Sequence, residues 1–118
     1  MATSDVITIL QGAQEVLSEI PLCQGAYALD SEGQPVAGLA GSLGEDLQGV
    51  DILGAIHRAA SVAELLAFEG EARTAVADYL GYAQREDTSG TILRDWNDVS
   101  GRDAQAVSDL IGTVLAAL

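Results

Sequence analysis

The sequence predicts an all-α protein, or a mostly α protein with one small hairpin, built as a compact bundle of four to five helices. Apolar residues recur at helical spacing in several stretches of the chain. A glycine-rich segment without that spacing, residues 22–48, follows the first of them. Because 118 residues suffice for one hydrophobic core, we predict a single helical domain over residues 1–118.

The first helix is predicted from its apolar stripe and its two ends. Thr3 or Ser4 can cap it, and Asp5 is favourable at the positive end of the helix dipole. Pro21 ends it, because the residue before a proline is disfavoured in the helical conformation. The stripe between these ends consists of Val6, Ile9, Leu10, Ala13, Val16, Leu17 and Ile20.

The glycine-rich segment predicts an ordered loop with room for one hairpin. Residues 30–33 form a turn signal between two short extended pieces. Tyr27, Leu29 and Val36 supply apolar side chains that we expect to hold the segment against the helices.

The second helix is predicted from Leu47 or Gln48 to Ala60. Gly54 lies in its middle, where glycine costs about 1 kcal/mol relative to alanine. We therefore expect another backbone to pass close to Gly54.

The third helix is predicted to begin at Ser61, because Ser61 and Glu64 match the spacing of a capping box. Gly81 is its predicted end, and Gly70 can divide it into two pieces. The apolar stripe assigned to it consists of Val62, Leu65, Leu66, Ala72, Ala75, Val76, Tyr79 and Leu80.

Residues 84–90 are polar and predict a loop. One apolar helical turn follows, and Gly101 then interrupts the chain. Asp103 is the predicted cap of the last helix. The short turn consists of Ile92, Leu93 and Trp96, and the last stripe of Val107, Leu110, Ile111, Val114, Leu115 and Leu118.

The charge balance limits the partners of the protein. Eighteen acidic residues face five basic ones, all arginine, and the net charge is -13. Such a chain repels phosphate groups, so we expect neither direct nucleic-acid binding nor binding to an anionic membrane. The same field favours a basic protein partner. The sequence shows no signal peptide and no apolar run of membrane-spanning length, which predicts a cytoplasmic location.

The residue types that carry chemistry do not form a recognisable constellation. Cys23 is the only cysteine, so neither an intrachain disulfide nor a thiolate zinc cage is available. His57 is the only histidine and has no nucleophile motif beside it. The acidic groups lack calcium-loop spacing and are interpreted as a solvated surface. We therefore expect no enzyme, no metal and no cofactor. These acidic groups are Glu45, Asp46 and Asp51, Glu69 and Glu71, and Glu86 and Asp87.

The segment that contains the only tryptophan admits two interpretations. Trp96, Asn97 and Asp98, with Arg102 close behind, can line a surface that binds a partner. The favoured alternative is structural: Trp96 is mostly buried against the first and last helices, and Asn97 or Asp98 satisfies backbone groups where the short turn ends. On that interpretation we expect Trp96→Ala to cost about 3–5 kcal/mol.

Residues 91–103 and three further pieces resemble a family of small actinobacterial and actinobacteriophage proteins, a domain of unknown function. The pieces are the Gly-Ala pair at 25–26, residues 32–36 (Glu-Gly-Gln-Pro-Val) and residues 53–56 (Leu-Gly-Ala-Ile). The resemblance implies the helical order above and an actinobacterial or phage origin, and it implies no activity. Members of this family often carry a cysteine just before the Gly-Ala-Leu stretch. This chain has Val50, Asp51 and Ile52 there, so no thiol-based role is carried over.

Two function classes remain after these exclusions. The first is an interaction or regulatory module that binds a protein partner through a groove or apolar patch, in the cytoplasm of a bacterium or of a phage-infected host. The second is an acidic decoy that mimics nucleic acid, although the acids are spread along the chain rather than set in a row. An enzyme is the third choice. The apolar end of the last helix also predicts pairing with a second copy in a homodimer.

Overall fold

The computed structural model describes residues 4–81 and 86–118, and it confirms the predicted mostly α fold with one small β element. The five α-helices pack around one apolar core. The helices are α1 (Ser4–Glu19), α2 (Ile52–Val62), α3 (Glu69–Tyr79), α4 (Glu86–Asn97) and α5 (Ala104–Ala117), and the strands are β1 (Ala28–Leu29) and β2 (Gly49–Val50).

Helix α1 lies against α2, α3 and α5. Its predicted stripe is buried at Val6, Ile9, Leu10, Ala13 and Leu17, and the helix ends two residues before Pro21, as predicted. The α1–α2 contact is close, because a Cβ at Gly12 would lie 3.0 Å from the Cβ of Ala59. The predicted cap Ser4 is the first helical residue, and Thr3 lies outside the described residues.

The glycine-rich segment contains the predicted turn and forms a hairpin. Asp30 Oδ1 accepts hydrogen bonds from the backbone N–H groups of Glu32 and Gln34, each at 2.9 Å. Val36 N–H donates to the carbonyl of Ala28 across the turn. The sequence did not indicate the second pairing, in which β1 is antiparallel to β2 with Ala28 opposite Val50. A 3-10 helix, Leu39–Leu43, lies between the two strands.

Helix α2 begins later than predicted, because Gly49 and Val50 are in β2 and Asp51 caps the helix. The carboxylate Oδ1 of Asp51 accepts a hydrogen bond from Gly54 N–H at 2.7 Å. The prediction for Gly54 is confirmed: a Cβ there would collide with the carbonyl oxygen of Tyr27. Glycine is therefore required for the loop backbone to cross the first turn of α2.

The predicted capping box at Ser61 and Glu64 is wrong. Ser61 is in the last turn of α2, and the chain leaves the helix through paired bonds from Glu64 N–H to Ser61 O and from Leu65 N–H to Ala60 O. Glu64 has a φ of 59°, so it occupies the left-handed position that ends a helix of this kind. The sequence signal was ambiguous because serine also occurs inside helices.

The stripe assigned to the third helix is only partly buried. Ala72 and Val76 are in the core. Val62, Leu66 and Tyr79 are exposed by 80%, 49% and 51%. Val62 and Leu66 leave the stripe because the turn after α2 and a 3-10 helix, Leu66–Phe68, divide the predicted helix before α3 begins, whereas Tyr79 is the last residue of α3. The predicted stop is confirmed, since Gly81 has a φ of 89°.

Helix α4 is longer than the single turn predicted. Residues 86–90 are helical rather than loop, whereas residues 82–85 lie outside the described part of the chain. Ser89 and Leu93 are fully buried, so packing of α4 on α2 and α3 outweighs the weak helical preference of this polar stretch. These neighbours differ from the first and last helices expected around Trp96.

Helix α5 agrees with its prediction except at its end, where Leu118 follows the helix and is 43% exposed. Asp103 caps it through a 2.8 Å hydrogen bond from Ala106 N–H to Asp103 Oδ1. Val107, Leu110, Ile111 and Val114 are buried. Gln14 in α1 donates to the carbonyl of Ser108 at 3.0 Å, which ties α5 to α1.

Candidate functional site

Asn97, the last residue of α4, is completely buried and joins three parts of the fold. Its Oδ1 accepts a hydrogen bond from Ile52 N–H, at the first turn of α2, at 2.9 Å. Its Nδ2 donates to the carbonyl of Cys23 and to Asp98 Oδ1, both at 3.1 Å. The side chain therefore satisfies backbone groups that would otherwise be buried without partners.

A second set of hydrogen bonds holds the loop after α1 against the end of α4. This place, formed by Trp96, Asn97, Asp98 and Arg102 and by the residues bonded to them, is called here the Trp96 corner. Gln24 Nε2 donates to the carbonyls of Asn97 and Val99, at 2.9 and 2.8 Å. Gly25 N–H donates to Asp98 Oδ1 at 3.1 Å. Each of these contacts is internal to the protein, so the geometry favours the structural interpretation of Asn97 and Asp98.

Trp96 packs against the apolar core at this corner and is mostly buried, as predicted, with part of its ring exposed. The guanidinium carbon of Arg102 lies 3.8 Å from the centre of the Trp96 ring, which is cation–π geometry. Arg102 Nε also donates to the Trp96 carbonyl at 3.0 Å. Because part of the ring already contacts solvent, we expect Trp96→Ala to cost about 2 kcal/mol rather than 3–5.

Asp51 is the buried acid of this corner, with an exposed fraction of 1%. Its Oδ1 caps α2, but Oδ2 has no hydrogen-bond partner among the described residues. Burial, together with the negative charge of Asp98, raises the pKa of Asp51 to about 7. The interpretation of Asp51 as part of a solvated surface is therefore wrong, because the cap position and the crossing loop enclose it.

Cys23 lies at the same corner, 7% exposed, with its Sγ 3.4 Å from the Ala26 carbonyl. Burial first, and then the nearby charges of Asp51 and Asp98, raise the pKa of Cys23 to about 12. Cys23 is therefore a neutral thiol at neutral pH, because thiolate formation needs a positive environment.

A second charged cluster joins α2 to α3. Glu69 is 6% exposed; its Oε1 lies 2.7 Å from His57 Nδ1 and its Oε2 accepts a bond from Arg73 at 3.0 Å. The placement of Glu69 on a solvated surface was therefore wrong, whereas Glu71 is exposed. His57 thus has the carboxylate neighbour that the sequence did not reveal, in a group that holds two helices together.

An open groove, called here the α1–α2 groove, runs between the first two helices with a volume of about 510 Å³. One face of α1 lines it with Thr8, Gln11, Gly12, Glu15, Val16 and Glu19, and the end of α2 with Arg58, Ala59, Val62 and Ala63. An adjoining cavity of about 280 Å³ shares Val16, Glu19 and Arg58 with it. Asp46 and Leu47 line that cavity as well.

The groove has an apolar floor and an acidic rim. Gly12 and Ala59 are small and touch at the bottom, and Val62 is the most exposed large apolar side chain among the described residues. Glu15, Glu19 and Asp46 are exposed on the rim. The sequence missed this surface, because Val62 and Val16 occupy helical stripes that predict burial.

Among the described residues, Arg58 is the one base that lines the groove, and its guanidinium is hydrogen-bonded to backbone carbonyls. Its Nη1 donates to the carbonyls of Ser42 and Gly44, at 3.0 and 2.8 Å, in and just after the 3-10 helix. The ion pairs of the described residues are the two that Glu69 makes. The three rim carboxylates therefore form no ion pair within 4 Å among the described residues, and they outnumber Arg58, so the groove has a negative field.

The described residues contain no group of three or more histidine, cysteine, aspartate or glutamate side chains placed to hold a metal ion. Among the helices described, none combines the length and the apolar character that crossing a membrane requires.

Comparisons with known proteins place the chain in a family. No match was found among curated proteins or among solved structures. A family model described as "Family of unknown function (DUF6197)" matches residues 1–117. The chain therefore belongs to this family of unknown function.

Proposed function

We propose that the protein is a binding module for another protein, and that the α1–α2 groove is its contact surface. One observation carries the proposal: Val62 at the edge of the groove is 80% exposed, beside the partly exposed Val16 and Ala63. Leaving apolar surface in water is unfavourable unless a partner covers it. As the sequence resemblance implies, we place this activity in the cytoplasm of an actinobacterium or of a cell infected by its phage.

The Trp96 corner supports the same choice by contrast. Three side chains there are hydrogen-bonded to backbone groups inside the protein, those of Gln24, Asn97 and Asp98. What remains there for a partner is Arg102 and a cavity of about 240 Å³, less than half the volume of the groove, lined by Ile92, Asp95, Trp96 and Val99. The groove offers more uncovered apolar surface than this corner, so we assign the partner to the groove.

The second candidate function is the decoy, an acidic protein that mimics nucleic acid and binds a basic protein. The net charge of -13 and the unpaired carboxylates of the groove rim favour attraction to a basic protein without any apolar contact. Such an association would weaken steeply with salt, because exposed charges are screened within about 8–10 Å at physiological ionic strength.

Site-specific photo-crosslinking in the organism that carries the gene tests both. A photoreactive amino acid replaces Val62 in the groove, and in a control protein it replaces Tyr79, an exposed residue of α3. We expect a defined adduct with one protein from position 62, retained at high salt, and none from position 79. Equal adducts from both positions that disappear at high salt would favour the decoy, and no adduct from either would contradict both.

A further inference from the structure

We infer that the occupant of the α1–α2 groove is a basic amphipathic helix of about three turns, supplied by a partner protein. This inference rests on the proposed function and names the chemistry of the partner. Three features of the described residues support it: the length of the groove, the absence of backbone pairing groups on its walls, and the charge of its rim.

The length of the groove follows from α1. Its lining residues run from Thr8 to Glu19 at helical spacing, which corresponds to about 16 Å along the axis. An occupant lying parallel to this face covers it with about eleven residues. The adjoining cavity beside Leu47 can accept one further apolar side chain at the end of that span.

The walls favour a helical occupant over an extended one. Both walls are α-helices, whose backbone groups are bonded within each helix, and the described strands β1 and β2 are not among the groove residues. An extended peptide would lay unpaired N–H and C=O groups on the apolar floor, and this is costly. A helix satisfies its own backbone, and the small residues Gly12, Ala59 and Ala63 allow it to approach closely.

The rim sets the charge of the occupant. Glu15 and Glu19 lie along the α1 wall and Asp46 lines the adjoining cavity, whereas Arg58, the cation among the described lining residues, is bonded to the Ser42 and Gly44 carbonyls. Lysine or arginine side chains beside the apolar face of the occupant would meet the rim carboxylates, and acidic ones would be repelled.

A second copy of this chain does not fit that description. The chain has no lysine, and α1 and α5 contain no arginine while α2, α3 and α4 contain one each. The occupant is therefore a helix from a different protein.

Binding of three synthetic 15-residue peptides tests the inference. The first has leucine and alanine on one helical face and lysine on the other. The second has glutamate in place of lysine, and the third has two prolines in the middle of the first. We expect only the first to bind at physiological salt, by fluorescence anisotropy, and to shift the NMR signals of groove residues.

Two matched variants separate groove binding from general charge attraction. Val62→Lys and Tyr79→Lys each add one positive charge at an exposed apolar side chain, so neither removes a core contact. We expect Val62→Lys to weaken binding of the lysine peptide about tenfold or more, and Tyr79→Lys by less than about twofold. Equal weakening by the two would overturn the inference.

Neutralising the rim gives a second readout. Glu15→Gln with Glu19→Gln is expected to weaken the lysine peptide about three- to tenfold. Glu71→Gln with Asp109→Asn makes the same charge change at exposed sites on α3 and α5 and should have little effect. If the glutamate peptide bound as tightly as the lysine peptide, the occupant would not need to be basic. If the proline peptide bound as tightly, the occupant would not need to be helical, and either result would contradict the inference.

The outcomes also separate the inference from the proposed function. A crosslinked partner at position 62 without binding of the lysine peptide would leave the proposed function standing and overturn the helix. Self-association that Val62→Lys abolishes, measured by analytical ultracentrifugation, would make a second copy the occupant and also overturn it.

Discussion

The two ends of α2 are built in opposite ways. At its N-terminal end, Asp51, Ile52 and Gly54 are enclosed by the loop backbone and by Asn97, and the polar atoms other than Asp51 Oδ2 are matched to partners. At its C-terminal end, Ala59, Val62 and Ala63 face an open groove, and an apolar side chain is left in water. The contrast teaches that the distinctive polar segment of this chain is bonded within the fold, whereas the surface that we propose for a partner contains ordinary apolar residues.

The largest effect is expected at the N-terminal end, from Asn97→Ala. The substitution leaves Ile52 N–H and the Cys23 carbonyl without their partner, and we expect a loss of about 3–5 kcal/mol in the free energy of unfolding. Trp96→Ala should cost less, about 2 kcal/mol, since part of its ring is exposed. Urea unfolding monitored by circular dichroism measures both. The reverse order of the two losses would contradict the structural role assigned to Asn97.

The next effect concerns the pH dependence of stability through Asp51. Its pKa rises from 3.8 to about 7 on folding because the carboxyl is buried. Below pH 3.8 both states are protonated; as pH rises toward 7 the unfolded state loses its proton first, so Asp51 lowers stability progressively. Above pH 7 both states are ionised and the loss, on the order of 4 kcal/mol, is complete.

The variant Asp51→Asn keeps a side-chain oxygen to cap α2 and cannot ionise. We expect it to be more stable than the wild type at pH 8 and nearly equal at pH 4, in urea unfolding at both values. Asp103→Asn, at the exposed cap of α5, is the matched control and should show no such difference. Parallel pH curves for the wild type and Asp51→Asn would show that Asp51 is ionised in the folded protein.

The smallest effect is expected at the C-terminal end. Glu64 adopts a left-handed conformation just beyond α2, where glycine is preferred. We expect Glu64→Gly to stabilise the protein by about 0.5–1 kcal/mol, because the strain on the Cβ is removed. Glu71→Gly inside α3 is the control and should destabilise it by about 1 kcal/mol. A loss of stability from Glu64→Gly would show that its side chain makes a contact worth more than the strain.

Local sequence signals were reliable where a residue type is compatible with few backbone conformations. Pro21, Gly81 and Asp103 marked helix ends as predicted, and the turn at residues 30–33 formed as its composition indicates. Residue types that are common in two kinds of local structure were less reliable signals. Ser61 and Glu64 suit a helix start, yet they end α2, and the polar residues 86–90 are helical because the tertiary fold buries Ser89.

By itself, the sequence determined the fold class, the single glycine-rich excursion and the strong negative charge, because these follow from periodicity, from backbone freedom and from a count of ionisable groups. The tertiary structure alone decided which acids are buried and which apolar residues are exposed. Asp51 and Glu69 are enclosed and Val62 is in water because burial depends on how distant elements meet. The candidate groove depends on such a contact, because it is lined by the residues of α1 and α2 that lie around the close approach of Gly12 and Ala59.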